Sequence, residues 1–201
     1  LGTESATTWA REKLYQVFNY RYNARLPTVV TTNHELEEIP LRLRSRLVDP
    51  DLSQIVSIQA PDYRGTGDTI QKPRALSTLH LHAKQTFETF HLRKHELPRP
   101  QAENLQRAFN TARDFAVKRP DEWLLLTGTY GCGKTHLAAA IANFRAGQGE
   151  QPLFIVVPDL LDHLRATFDP KSPVPFDRRF EDMRVASFLI LDDLGTESAT
   201  P

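Results

Sequence analysis

Apolar positions along the chain follow two rhythms, and their alternation predicts the fold class before any motif is considered. At helical spacing, Leu14, Val17, Phe18 and Tyr22 share one face of Thr8–Ala24 while Arg11, Lys13 and Arg25 fall elsewhere, which predicts an amphipathic helix. Glu103–Lys118 repeats the pattern, with Leu105, Ala108, Phe109, Ala112, Phe115 and Ala116 on one side. Further helices are expected over Lys134–Ala146, Asp159–Phe168 and Phe176–Ala186, and one over Glu35–Leu47 that Pro40 interrupts. Between them lie short β-rich runs: Leu26–Thr32, Gln54–Gln59, Trp123–Thr127, Pro152–Val157 and Phe188–Leu191. The most apolar of these lack a polar face, as strands covered on both sides do. Strands alternating with helices predict a single three-layer α/β domain around a five-stranded, mainly parallel sheet. Residues 68–100 break both rhythms; they are polar, carry Pro73, Pro98 and Pro100, and read as a linker with partial structure.

Composition narrows the classes. The chain has 201 residues, enough for one domain with a real core. Lys+Arg and Asp+Glu number 25 each, so the net charge is zero and bulk attraction to a polyanion is excluded. The balance is uneven along the chain: Lys72–Arg119 holds ten bases against four acids, and Glu150–Thr200 ten acids against five bases. A solvated linker and a charged helix face are the simpler explanation, and a basic strip for DNA or a partner protein the sharper one. No apolar run approaches the roughly 20 residues of a membrane span, so no membrane is expected. The single cysteine, Cys132, has no internal partner, and the start carries no basic-then-apolar signal, so a reducing cytoplasm is the expected setting.

Chemistry concentrates at Gly128-Thr129-Tyr130-Gly131-Cys132-Gly133-Lys134-Thr135, which fits G-x-x-x-x-G-K-[ST] between a predicted strand and a predicted helix. Glycines let the backbone curl so that N–H groups converge on phosphate, and the helix N-terminus adds partial positive charge. Lys134 would neutralise β/γ oxygens of ATP, and Thr135 would offer its hydroxyl to Mg²⁺. Phe188–Asp193 is the expected partner, an apolar strand delivering Asp192 to Mg²⁺ and Asp193 to the attacking water at the sheet edge where ligands gather. Cys132 reads as a small tolerated residue, an oxidation-sensitive thiol being the alternative because helix N-termini lower thiol pKa. His80, His82, His91 and His95 have no accompanying Cys or carboxylate cluster and read poorly as a metal site.

The stretches WLLLTGTYGCGKTHLAAAIAN, FLILDDLGTESAT, NYRYNARLPTVVTTNHELEEI, LRSRLVD and APDYRG together resemble the AAA+ ATPase core of DnaC/DnaI-type replicative helicase loaders, with IstB-type transposition helper ATPases as relatives. The resemblance covers nearly the whole chain and implies a P-loop NTPase fold with the phosphate-loop strand between the two strands of the first third. It also implies ATP or ADP with Mg²⁺ as ligands, and a replicative helicase and single-stranded DNA as partners. Asn33, at the tip of VVTTN, resembles the polar sensor near the γ-phosphate. Arg46 of LRSRL resembles the arginine finger that reaches a neighbouring subunit's nucleotide, with Arg42 in support, so self-association is implied. Arg64 of APDYR resembles a second sensor, His136 continues the loop motif, and Glu197 or its duplicate Glu4 would assist the aspartates. Residues 68–90 are too short and polar for a loader's helicase-binding region, so the chain resembles the ATPase core alone.

The order departs from that family, in which the phosphate loop and Asp-Asp strand precede the Thr-Thr-Asn strand and the arginine box. Leu194–Thr200 repeats Leu1–Thr7 residue for residue, and Thr200-Pro201 announces a helix that Trp9–Ala24 supplies. Three arrangements accommodate this: a circular permutation with old ends joined near Arg64–Asp68, a window on a tandem array, or a domain swap. Permutation is preferred because the ends of single domains often lie close together. Residues 1–67 then form the sensor and arginine-finger part, 68–100 a linker, and 101–201 the phosphate-loop and Asp-Asp part. Two functions are expected: an ATP-hydrolysing helicase-loader-like or transposition-helper core, or a nucleotide-controlled binding module with little turnover.

Overall fold

The computed structural model describes residues 2–62, 77–118, 121–167 and 176–195. Helix α1 (Gly2–Asn23) leads into β1 (Thr28–Thr32), α2 (Leu41–Leu47) and β2 (Ser53–Ile58). Helix α3 (Arg99–Lys118), β3 (Trp123–Gly128), α4 (Lys134–Gly147), β4 (Leu153–Val156), α5 (Val157–Thr167), α6 (Phe176–Val185) and β5 (Leu189–Leu194) follow. The strands form one five-stranded sheet in the order β2-β3-β1-β5-β4, with every pairing parallel. The fold is therefore α/β as expected, and β3 lies between β2 and β1.

Strand periodicity explains the three layers. Successive side chains point to opposite faces, so Val29, Leu124, Leu126, Phe154, Phe188 and Ile190 join the core under α3 and α4. Their neighbours Val30, Trp123, Leu125, Ile155, Leu189 and Leu191 join the core under α1, α2, α5 and α6. With both faces covered, β1 is buried at every position. Proline sets the local boundaries, and the interruption expected at Pro40 is present. Pro27 delays β1 to Thr28, and Pro40 splits the expected Glu35–Leu47 helix into a 3-10 turn at Leu36–Glu38 and α2. Helix α5 begins at Val157, two residues before the expected start, which puts Asp159 in its first turn. Residues 77–98 hold only a 3-10 turn, Leu79–His82, yet Phe87 and Leu97 are buried among the residues of α3 and α4.

Side-chain and backbone bonds occupy part of each sheet edge, which blunts the tendency of open edges to pair. On the β2 edge, Asn104 Nδ2 donates to Ser57 O at 3.0 Å and its Oδ1 accepts from Gln59 N at 2.9 Å. On the β4 edge, Thr78 N donates to Phe154 O at 2.9 Å.

Arg21 ties the first third of the chain to α6. It is fully buried, and its guanidinium donates to Thr28 Oγ1 at 3.0 Å and to the carbonyls of Pro27 and Ala186 at 2.7 Å and of Met183 and Arg184 at 3.2 Å. Burial draws its pKa down to about 9, so the group stays protonated at neutral pH. Carbonyls at the α6 C-terminus complement the cation. Replacing Arg21 by leucine strands these buried carbonyls, and a loss of about 3 kcal/mol in urea unfolding is expected. An unchanged midpoint would show that Arg21 holds nothing together.

Candidate nucleotide site

The loop between β3 and α4 carries glycine at the positions where the backbone leaves the ordinary region. Gly131 has φ 69°, and the Asp62 Oδ1 atom stands 1.4 Å from where a Cβ would lie. Gly128, at φ 142°, would direct a Cβ onto the Ile58 carbonyl at 2.3 Å. Only glycine lets the chain leaving β2 lie along this loop. Gly133 caps α4, and Thr129 and Tyr130 are exposed at the rim. Lys134 is buried and donates from Nζ to Gly128 O at 2.9 Å and Thr129 O at 2.7 Å.

Cys132 turns inward. Its Sγ lies 3.7 Å from Lys134 Nζ, and burial pushes the thiol pKa up against the pull of that ammonium. Desolvation outweighs the positive field of the α4 terminus and of Lys134, which favours the reading of Cys132 as a small packed residue. His136 faces the segment before α3: its Nε2 lies 3.0 Å from Thr86 O and 3.3 Å from Thr89 Oγ1, and its ring meets Phe90 edge-on. Burial lowers its pKa, which favours the neutral ring.

Opposite the loop stand the tips of β1 and β5. Val30 pairs with Leu191 and Thr32 with Leu194, so Asp192 and Asp193 together oppose Thr31 in a β-bulge. Such insertions re-aim side chains. Asp193 sits at φ 59°, in the left-handed region that Asp tolerates better than most residues. Asp192 Oδ1 accepts from Thr31 Oγ1 at 2.6 Å and from Thr135 Oγ1 at 3.2 Å. Asn33 Nδ2 donates to Asp193 Oδ1 at 3.1 Å. Asp192 is 3 % exposed, and its pKa is pushed up to about 6, first by burial and then by the Asp193 charge, against both hydroxyl bonds and Lys134.

The structure thus brings Lys134, Thr135, Asp192, Asp193 and Asn33 to one sheet edge. Arg46 is not among them. It is held on α1, donating to Asn19 Oδ1 at 2.7 Å and Tyr15 Oη at 2.9 Å, and it also donates to Arg42 O at 2.7 Å. Arg42 lies over the Tyr15 ring and pairs with Glu12 at 3.3 Å. Arg64 and Glu197 lie outside the described residues, as does the Glu4 side chain. Two contributors escaped the sequence reading. Thr31 was legible only as part of the Thr-Thr-Asn run, and Asp62 carries no signal of its contact with Gly131.

The Thr135 hydroxyl and Asp192 carboxylate form a pair of hard oxygen donors 3.2 Å apart. That set suits Mg²⁺, which binds through one or two protein oxygens and keeps its remaining positions for water and phosphate.

An all-parallel sheet with this loop on its inner strand, facing an acidic strand tip, defines a P-loop nucleotide-binding protein. The sequence model of the family described as IstB-like ATP binding protein matches residues 68–199, more than half of the chain, and the chain belongs to that family. Nucleotide binding is implied by that membership. The replicative helicase loader DnaC of Escherichia coli K12 is 27% identical over 120 residues, 59% of this chain and 45% of DnaC. DnaC of Buchnera aphidicola subsp. Baizongia pistaciae is 25% identical over 117 residues, 58% of this chain and 45% of that protein. A protein of insertion sequence IS1162 from Pseudomonas fluorescens, named for ATP binding, is 39% identical over 72 residues, 36% of this chain and 30% of that protein. The chain spans less than half the length of these curated relatives. No solved structure matches it significantly. Among the described residues no helix is long and apolar enough to cross a membrane.

The Asp192 environment sets a pH dependence. A carboxyl whose pKa rises from 3.8 to about 6 on folding keeps its proton in the folded state after the unfolded state has released it. Its contribution is therefore fully present below pH 3.8 and is lost as pH rises through about 6. Without nucleotide, Asp192→Asn is expected to exceed the parent in stability at pH 7.5 on the order of 2 kcal/mol, the advantage vanishing near pH 4. Urea unfolding at the two pH values measures this, and equal stabilities at both would contradict it.

Proposed function

We propose that the chain is a Mg²⁺-dependent ATP-hydrolysing AAA+ module of the helicase-loader type. The observation that carries the reading is the pair of carboxylates at the β5 tip, one bonded to the hydroxyl that follows the loop lysine and the other to Asn33. Thr135 and Asp192 would hold Mg²⁺, which when bound supplies charge neutralisation across the β and γ oxygens. Lys134 exchanges its loop carbonyls for phosphate oxygens. Asp193 accepts a proton from water as the water oxygen bonds the γ-phosphorus and the bond to ADP breaks; Asn33 fixes that carboxylate. The loop N–H groups and the α4 N-terminus hold the phosphates.

Arg46 would complete a neighbouring subunit's site. To do so it must leave Tyr15 and Asn19, so turnover would rise with assembly. A replicative helicase and single-stranded DNA are proposed partners because the DnaC relatives are named as replicative helicase loaders; a transposition role is proposed from the insertion-sequence relative. We also propose that the two parts of the core run in exchanged order. The repeated Leu-Gly-Thr-Glu-Ser-Ala-Thr and the insertion of β1 between β3 and β5 support that reading.

A second reading, nucleotide-controlled binding with little turnover, draws on the bonds that hold Lys134 to the loop and Arg46 to α1. Phosphate release measured against protein concentration separates the two. The parent is expected to hydrolyse ATP with a rate per chain that rises with concentration. Lys134→Ala is expected to lose nucleotide binding, and Asp193→Asn to keep binding while losing about 10²-fold or more in kcat. Release unaffected by either substitution would refute the assignment, and tight ATP binding with no release would favour the second reading.

A further inference from the structure

The bulge at the β1–β5 junction leaves a backbone problem that one side chain resolves. Because two β5 residues oppose Thr31, the regular ladder is interrupted at Asp192 and Asp193. The Asp193 N–H instead donates to Thr31 Oγ1 at 2.9 Å, and the same hydroxyl donates its own proton to Asp192 Oδ1 at 2.6 Å. One hydroxyl thus uses its single proton on one aspartate and a lone pair on the backbone of the next. Thr31 is fully buried, so bulk water does not compete for its hydroxyl. Asp193 meanwhile holds a left-handed φ of 59°, a conformation that persists only where its surroundings over-determine it.

The restraints on that conformation can be named. Asn33 holds the Asp193 side chain, Thr32 Oγ1 donates to Leu194 O at 2.8 Å immediately after it, and Thr31 holds its amide. Consecutive residues of a regular strand point to opposite faces. Here the bulge lets adjacent carboxylates serve one site, Asp192 beside Thr135 and Asp193 beside Asn33. A valine at position 31 would fit the buried strand equally well by shape, as Val29 and Val30 do, so the hydroxyl is what distinguishes this position.

We propose that Thr31 is a positioning residue for ATP hydrolysis: its hydroxyl fixes the Asp193 backbone in the left-handed bulge and registers that carboxylate against Asp192. This rests on the hydrolytic reading above. Thr31 touches no nucleotide in this account and acts only through the two aspartates. Its loss should therefore spare the phosphate loop and affect the chemical step.

The test compares Thr31→Val and Thr31→Ser with the parent in the full chain, using kcat and KM for ATP at saturating Mg²⁺, the Kd for a fluorescent ADP, and amide exchange at Asp193 by NMR. For Thr31→Val, kcat is expected to fall about 30- to 100-fold, the scale of loss when a catalytic group is misplaced, with KM and the ADP Kd within about threefold of the parent. Asp193 exchange should accelerate at least about tenfold, while the amides of Leu189–Leu191 keep their protection. Thr31→Ser should restore both kcat and slow exchange, because it keeps the hydroxyl. The proposal is overturned if Thr31→Val retains parental kcat, if serine and valine lose activity alike, or if KM and Kd rise in step with the loss. Should the parent release no phosphate, the hydrolytic reading falls. The exchange measurement still decides in that case, since parental exchange at Asp193 in Thr31→Val would remove the proposed restraint.

Discussion

The parallel seating of β1 between β3 and β5 is the constraint on which everything else depends. This strand comes from the first 32 residues, whereas both neighbours come from beyond residue 122. Without it the sheet would separate into two pairs, β2 with β3 and β4 with β5, each exposing an unpaired ladder. Buried backbone groups must find partners, so the fold closes only when the first part of the chain inserts into the second. Arg21 reinforces that insertion by joining the start of β1 to the carbonyls at the end of α6. Burying this guanidinium is tolerable because each of its three nitrogens donates to an oxygen.

Function follows from the same insertion. The tip of β1 supplies Thr31, Thr32 and Asn33 directly against Asp192, Asp193 and Leu194. The first turn of α4, entered from the loop after β3, supplies Lys134 and Thr135 from the opposite side of β1. A site assembled across three strands from two distant parts of the chain is coupled to the integrity of the sheet. The loop itself is shaped from outside by the chain leaving β2, since the Ile58 carbonyl and the Asp62 carboxylate occupy the space that side chains at Gly128 and Gly131 would need.

Apolar runs and helical spacing were enough to read the five strands to within a few residues. In β1, β3 and β5 burial on both faces leaves little polar alternation, while the half-exposed edge strand β2 was read from its β-branched residues. The glycine loop and the Asp-Asp strand were legible for a different reason: few residue types can curl around phosphate or supply oxygen donors. The bulge was not legible. Nothing in Phe188–Asp193 announces that Asp193 takes a positive φ, and Thr31 reads as one more β-branched strand residue. At Cys132 the helix-terminus field was visible in the sequence, whereas the burial that opposes it was not. Residues 68–100 read as a linker with partial structure; within the described part, Phe87 and Leu97 anchor the segment in the core and His136 fastens it to α4.

The central claim is that β1 and the loop form one nucleotide site although they lie far apart in the chain. Hydrogen exchange followed by mass spectrometry, with and without Mg²⁺ and ADP, tests it most directly. The account predicts that nucleotide slows exchange together at residues 31–34, 128–136 and 191–194. Protection confined to residues 128–136, with the β1 tip unchanged, would contradict it.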